Sequence, residues 1–309
     1  MKRMNNKVHV EGVLYQHSLE LKTSGPNSKT PGTQFISGNV DIATDNAMTN
    51  IVTVHYTYVT EKTGAGKTNA TFSVLKDIID KKLCTVIEHG ADAAANIAID
   101  TAIGLNEFFS DRNGKEELVS AKRPEGGFAV VKSSINDDET KRNTFDVDMV
   151  ITGTRMIDAD EEKNLPEKMI IKGAIFDFRN SLLPVEFSVL NPNAMNYFES
   201  LGISQSEPVF TRLQGRLISE VVKTRKVEEG AWGDPIVKEY ASTRKDYVIT
   251  WAASEPYAWD DDSTITGADL KKAMSDRETY LATLKARADE YKASKNAAPA
   301  APAQGAFNF

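Results

Sequence analysis

A two-residue period runs through this chain and limits what it can become. KVHVEGVLYQHSLELK (7–22), TQFISGNVDIATD (33–45), NIVTVHYTYV (50–59), TFDVDMVITGTRMI (144–157), KMIIKGAIFDF (168–178), LLPVEFSVLN (182–191), VFTRLQGRLISEVVKTRK (209–226) and IVKEYASTRKDYVITWA (236–252) are dominated by alternating apolar positions. Successive strand side chains point to opposite faces, so each segment reads as a strand with a buried side. In the first, Val8, Val10, Val13, Leu19 and Leu21 are the expected inward residues.

Helical spacing is rarer. TFSVLKDIID predicts a short helix with Phe72, Leu75, Ile78 and Ile79 on one face. NAMNYFESLGI predicts another, closed by Gly202. Residues 83–105, rich in Ala and Ile, read either as a helix or as a buried strand–helix mix. KRPEGGFAVV and SSINDDETKRN read as a polar break, and EEGAWGDP as a turn between the two last strands. ADLKKAMSDRETYLATLKARADEYKASK predicts a polar helix with a sparse stripe of Leu270, Met274, Tyr280, Leu281 and Leu284.

Residues 7–79 and 144–201 share an order of strand, Gly-containing strand, strand and helix, an internal repeat of pattern rather than identity. The division that follows is 1–132, 133–256 and 257–309, the last an acidic loop, the polar helix and an extended Ala/Pro tail ending GAFNF. The expected class is mainly β (α+β).

Composition narrows the chemistry. One cysteine, Cys84, excludes an internal disulfide and a cysteine-built zinc site, and the four histidines show no metal-ligand spacing. No apolar run approaches the ~20 residues that span a bilayer. The basic N-terminus has no apolar core behind it, so a cytoplasmic, non-membrane protein is expected. Net charge is −7, yet it is uneven. Residues 133–164 carry nine acids and four bases, whereas 209–226 carry five bases and only Glu220 as an acid. A basic stripe can exist on an acidic protein.

NKVHVEGVLYQ followed by GTQFISGNVDIATD resembles the start of bacterial-type single-stranded DNA-binding proteins, through Asn6, Val8, Gly12, Leu14, Gly32, Ala43, Thr44 and Asp45. EPVFTRLQGRLISEV is similar to that family's fourth strand, through Gly215, Arg216 and Leu217. The resemblance implies two OB-like Greek-key β-barrels, five strands each with a helix between the third and fourth, in a far-diverged, virus- or plasmid-encoded relative. It implies single-stranded DNA as ligand, in replication or recombination, with no cofactor. It also implies that Phe307 and Phe309, on the tail, recruit replication or repair enzymes. The chain departs from the family in lacking an acidic run at the tip and the family's tryptophan positions in the first half.

Single-strand binding needs cations that follow phosphates and flat rings on which bases stack, each stack contributing ~1–3 kcal/mol. The hairpin around Trp232 offers both, with Arg212, Arg216, Lys223, Arg225, Lys226, Lys238, Arg244 and Lys245 on its stems. The alternative is that Trp232 packs on its own hairpin and the bases pair with Glu228, Glu229 and Glu239. Tyr56 and Tyr58 share a strand face that suits stacking or a core edge; Tyr15 and His17 could extend it. Phe176 and Phe178 share a face that reads as core, with Arg179 at the strand end as a phosphate contact. TGAGKTN has Glu61 where a phosphate loop needs its first Gly, so it reads as a loop whose Lys67, with Lys62, touches a nucleic-acid backbone. Asp146 and Asp148, and the acids of 158–162, would be Mg²⁺ ligands only in a nuclease. No catalytic set is supported, and a non-enzyme is expected. The other class open to such a sequence is a virion or scaffold protein of β-barrels.

Overall fold

The structure is a computed structural model that describes residues 4–112, 115–160, 165–228, 232, 236–259 and 264–296, with the backbone alone for 112, 220–228, 236–243, 295 and 296. Its strands are β1 (Asn6–His17), β2 (Glu20–Thr23), β3 (Gln34–Ala43), β4 (Ile51–Thr60), β5 (Asn96–Arg112), β6 (Lys115–Lys132), β7 (Asn143–Ile157), β8 (Lys168–Phe176), β9 (Leu182–Val189), β10 (Val209–Glu228) and β11 (Ile236–Ala252). Its helices are α1 (Ala70–Ile79), α2 (Val86–His89), α3 (Pro192–Ser200) and α4 (Gly267–Asn296). Mainly β is the observed class: one eleven-stranded sheet carries the chain, and α4 follows it.

The sheet's pairings close on themselves twice. β1, β3, β4, β6 and β5 pair in a ring, and β7, β8, β9, β11 and β10 pair in a second. Each ring is completed by one parallel bridge, His55 with Glu125 in the first and Val248 with Ser188 in the second. Closure gives every ring strand a neighbour on both sides, and β2, paired with β3 alone, is left as an edge. The element order repeats: a helix, α1 or α3, stands between the third and fourth strands of each ring. Gly38 and Gly173 sit in the second strand of each, where a Cβ would lie 2.2 Å from the Ser18 carbonyl oxygen or 2.1 Å from that of Val150. Only glycine allows these strands to cross so closely.

β1 and β7 run antiparallel from Asn6–Val147 to Val10–Asn143 and join the rings. Asn6 fastens the joint: its amide donates to the carbonyls of Ile103 (3.0 Å) and Phe176 (3.1 Å) and accepts from the Ile103 N–H (2.9 Å). One apolar core is continuous through both, from Val8, Val54 and Ile99 to Phe145, Phe187 and Leu213. α1 closes the first ring with Phe72, Leu75 and Ile78 inward, and Asn69 caps its start by accepting from the Thr71 N–H. A second apolar cluster, Met4, Phe176, Leu182, Phe210, Ile265 and Ala273, holds the segment leading into α4 on the outside of the second ring.

Several expectations are corrected. Residues 83–105 are not one helix; of the two readings the strand–helix mix holds, with α2 of four residues and β5 beginning at Asn96. The supposed polar break at 122–131 is the end of β6; its charges and glycines read as loop, but it pairs with β5 along its length. On α4 the buried residue is Ala273, with Leu270 partly buried against the same cluster, while Met274 is exposed. No helix among the described residues is long and apolar enough to cross a membrane.

Candidate functional site

Each ring sends its last two strands out as a long hairpin that reaches the other ring. From the β5–β6 hairpin, Lys122 donates to the Glu186 carbonyl of the second ring and lies 4.9 Å from the Tyr247 ring centre and 5.5 Å from that of Phe187. Burial pushes its ammonium below the ordinary lysine range. From the other side, β10 meets β4: Asn50 donates to the Leu217 carbonyl (3.2 Å) and accepts from the Ser219 N–H (2.5 Å).

The two crossings leave a recess of about 290 Å³ between the rings. Thr53 and His55 of β4 form its floor, Lys122 to Pro124 one wall, and Leu217 to Ser219 with Lys245 to Tyr247 the other. The recess is cationic. Lys245 is exposed, and no carboxylate pairs with it among the described residues. Arg123 reaches Glu125 two residues along its own strand (3.2 Å). The one acid in the wall, Asp246, is occupied by Lys168 (2.8 Å) and the Ser188 hydroxyl (2.6 Å). Burial opposes its charge, but these partners hold the carboxyl below its ordinary range. Burial, then the charge of Arg123, pushes the His55 imidazole down from its ordinary value, so it is neutral at pH 7. Such a surface can take an anion, and it offers His55 as a proton acceptor beside it.

The residues singled out from sequence scatter. Lys245 lines the recess. Trp232, at the hairpin tip, is 92% exposed. Arg179 is exposed on the turn after β8, its guanidinium 5.0 Å from the Phe178 ring centre. Lys62 and Lys67 are exposed on a turn closed by the Thr63 N–H to the Lys67 carbonyl (2.8 Å), an amide that a phosphate loop would leave free. Tyr15 is half-buried, and Arg244 is half-buried with interactions of its own. The side chains of Lys223, Arg225 and Lys226, and the whole of Phe307 and Phe309, lie outside the described residues.

Four candidates are corrected. Tyr56 is a core residue, 2% exposed beside Val54, and burial pushes its phenol well above the ordinary range; no base can stack on it. Arg212 is clamped on Asp146, its Nε donating at 2.8 Å, and Arg216 donates to Asn143 (3.1 Å) and the Glu139 carbonyl (3.4 Å). Both are committed to the outer sheet face rather than to phosphate. Tyr58 is half-exposed, but its ring packs on Phe35 (4.5 Å) and its hydroxyl meets Thr30 (2.9 Å) and Ser24 (3.2 Å), which fixes the β2–β3 loop.

Sequence reasoning missed His55, Lys122 and Arg123, the last two because KRPEGG reads as loop. It also placed Phe178 in the core with Phe176. Phe176 is fully buried, but β8 ends there and Phe178 is 66% exposed. The signal was the segment DFRNS: Asp177 accepts from the N–H groups of Arg179 (2.8 Å) and Ser181 (2.7 Å), a turn that ends the alternation. Asp146 and Asp148 are held by Arg212, Asn5 and Tyr257. Among the described residues no three His, Cys, Asp or Glu are grouped to hold a metal.

A family model described as YorF matches residues 5–287. No curated protein matches the chain. Among solved structures, the chain is similar to a crystal structure of a deletion mutant of the single-stranded DNA binding protein from Thermus aquaticus, at 9% identity and a TM-score of 0.46, over 85% of this chain and 100% of that one. A likeness that distant leaves the reading to this chain's own geometry.

Proposed function

The chain belongs to the YorF family, and we propose that it binds single-stranded DNA without regard to sequence. In this reading each five-strand ring is an OB-like Greek-key barrel, the first within residues 1–132 and the second within 133–256, and the long hairpins frame the ligand as such loops do. The cationic recess at the crossing of the two hairpins carries the proposal: Lys245, which no carboxylate pairs among the described residues, and Arg123, shared with Glu125, line it, and the one acid among its described lining residues, Asp246, is held by Lys168. Phosphates follow those cations, and Trp232 supplies an exposed plane for a base. The acidic remainder of the chain disfavours coating of duplexes. No bond is made or broken, and the activity serves replication or recombination by covering exposed strands. Band shifts against single-stranded DNA, duplex DNA and RNA test this. Retention of the DNA single strand alone or foremost is expected; assembly into large particles with no nucleic acid bound would favour a structural role instead.

A further inference from the structure

A second recess, of about 490 Å³, lies on the far side of the β5–β6 hairpin. Its size is that of small-molecule sites, ~300–1,000 Å³. The turn Asp177–Ser181 forms one wall, β5 from Ala102 to Glu107 the floor, and α4 the other wall through Ala273, Asp276, Arg277 and Tyr280. Two exposed rings therefore face one hollow from different elements: Phe178, 66% exposed, and Tyr280, 46% exposed. Each carries a guanidinium beside it, Arg179 at 5.0 Å and Arg277 at 5.6 Å from the ring centre.

The charges select the ligand. Four carboxylates line the recess, and all are occupied: Glu107 by Arg277, Glu125 by Arg123, Asp276 by Lys272 and Asp177 by turn amides. A cationic guest must compete with a cation already placed on three of the four. Arg179, by contrast, has no carboxylate partner among the described residues. An aromatic guest with an attached anion suits the two exposed rings and the unpaired Arg179 guanidinium. The helix wall is fixed in advance, since Ala273 is buried against the second ring's outer cluster and Arg277 is bonded to Glu107 (2.7 Å). A pre-formed wall lowers the cost of binding.

We propose that this recess receives one unpaired nucleobase of the bound strand, between the walls that carry Phe178 and Tyr280, with Arg179 on its phosphate. α4 is then part of the binding surface and not a strut outside it. The inference rests on the reading of the chain as a single-strand binder.

The experiment uses the full chain and a dT oligomer carrying one 2-aminopurine, whose fluorescence falls on stacking. Phe178→Ala and Tyr280→Ala should each weaken binding about tenfold and restore the probe's emission, while Tyr280→Phe keeps both. Tyr280 is half-exposed, and an unchanged melting curve for its variants shows that the fold is kept. Wild-type affinity and quenching in both alanine variants, with Lys245→Ala still weakening binding, would overturn the pocket and leave the groove standing. A wild-type chain that binds no oligomer overturns both. Tighter binding of decalysine than of the oligomer, lost in Tyr280→Ala, would assign the recess to a basic peptide and overturn the inference as well.

Discussion

Arg277 of α4 and Glu107 of β5 are 170 positions apart in sequence and form a two-point ion pair with side chains 12% and 2% exposed. Removing one partner of a buried pair strands a charge, at a cost of ~3–5 kcal/mol. Arg277→Ala should therefore lower stability by about that amount in urea unfolding. The double variant Arg277→Met, Glu107→Leu should recover most of the loss, because two apolar side chains of similar volume carry no charge to desolvate. Single variants at wild-type stability would mean that α4 is not held at this point.

His55 makes binding depend on pH. Its folded-state pKa lies below the ordinary 6.5, through burial and the charges of Arg123 and Lys245. In the free protein the unfolded chain takes up this proton first, so the stability due to His55 is complete above 6.5 and falls away as pH drops through the lowered value. A phosphate in the recess opposes the two cations and raises the folded value. Oligomer affinity should therefore increase as pH falls from 8 to 6, and His55→Asn should flatten the profile. Equal slopes in wild type and variant, from anisotropy titrations, would place the ligand elsewhere.

Lys245 gives a count of contacts. Each phosphate neutralised on a single strand contributes ~0.7 to the slope of log affinity against log salt. Lys245→Ala should shrink the slope by about that amount and weaken binding evenly across sequences. Arg212→Ala should leave the slope unchanged and reduce stability instead, since that guanidinium serves Asp146.

Trp232 should be quenched by oligo-dT. It is 92% exposed, and the other tryptophans lie elsewhere, Trp251 half-exposed on β11 and Trp259 packed near Phe210 (5.9 Å). Trp232→Ala should abolish most of the quenching and weaken binding. Emission unchanged at saturation removes this ring from the site.

Alternation alone made β1, β4, β7, β10 and β11 legible, and apolar spacing located α1 and, with Gly202, α3, because these elements each have one wet and one dry face. β5 and β6 were obscure for the opposite reason. Beyond the ring they form a hairpin lying between the second ring and α4, so residues such as Lys122 and Glu107 are charged yet covered. The candidate site was legible only where exposure follows from the local pattern, as at Trp232 and Lys245. Tyr56 and Tyr58 show the limit: two positions apart in one strand, they divide between core and surface where the β3–β4 register shifts between Ile36 and Gly38. Pairing of Arg212 with Asp146, 66 residues distant, is a tertiary fact that no local pattern announces.

Filter retention of labelled oligo-dT across a salt series, with duplex of equal length as competitor, addresses the central claim most directly. The account predicts retention at low salt, a straight negative slope of log affinity against log salt, and little competition by duplex. No retention at low salt, or displacement by duplex as readily as by single strand, would contradict it.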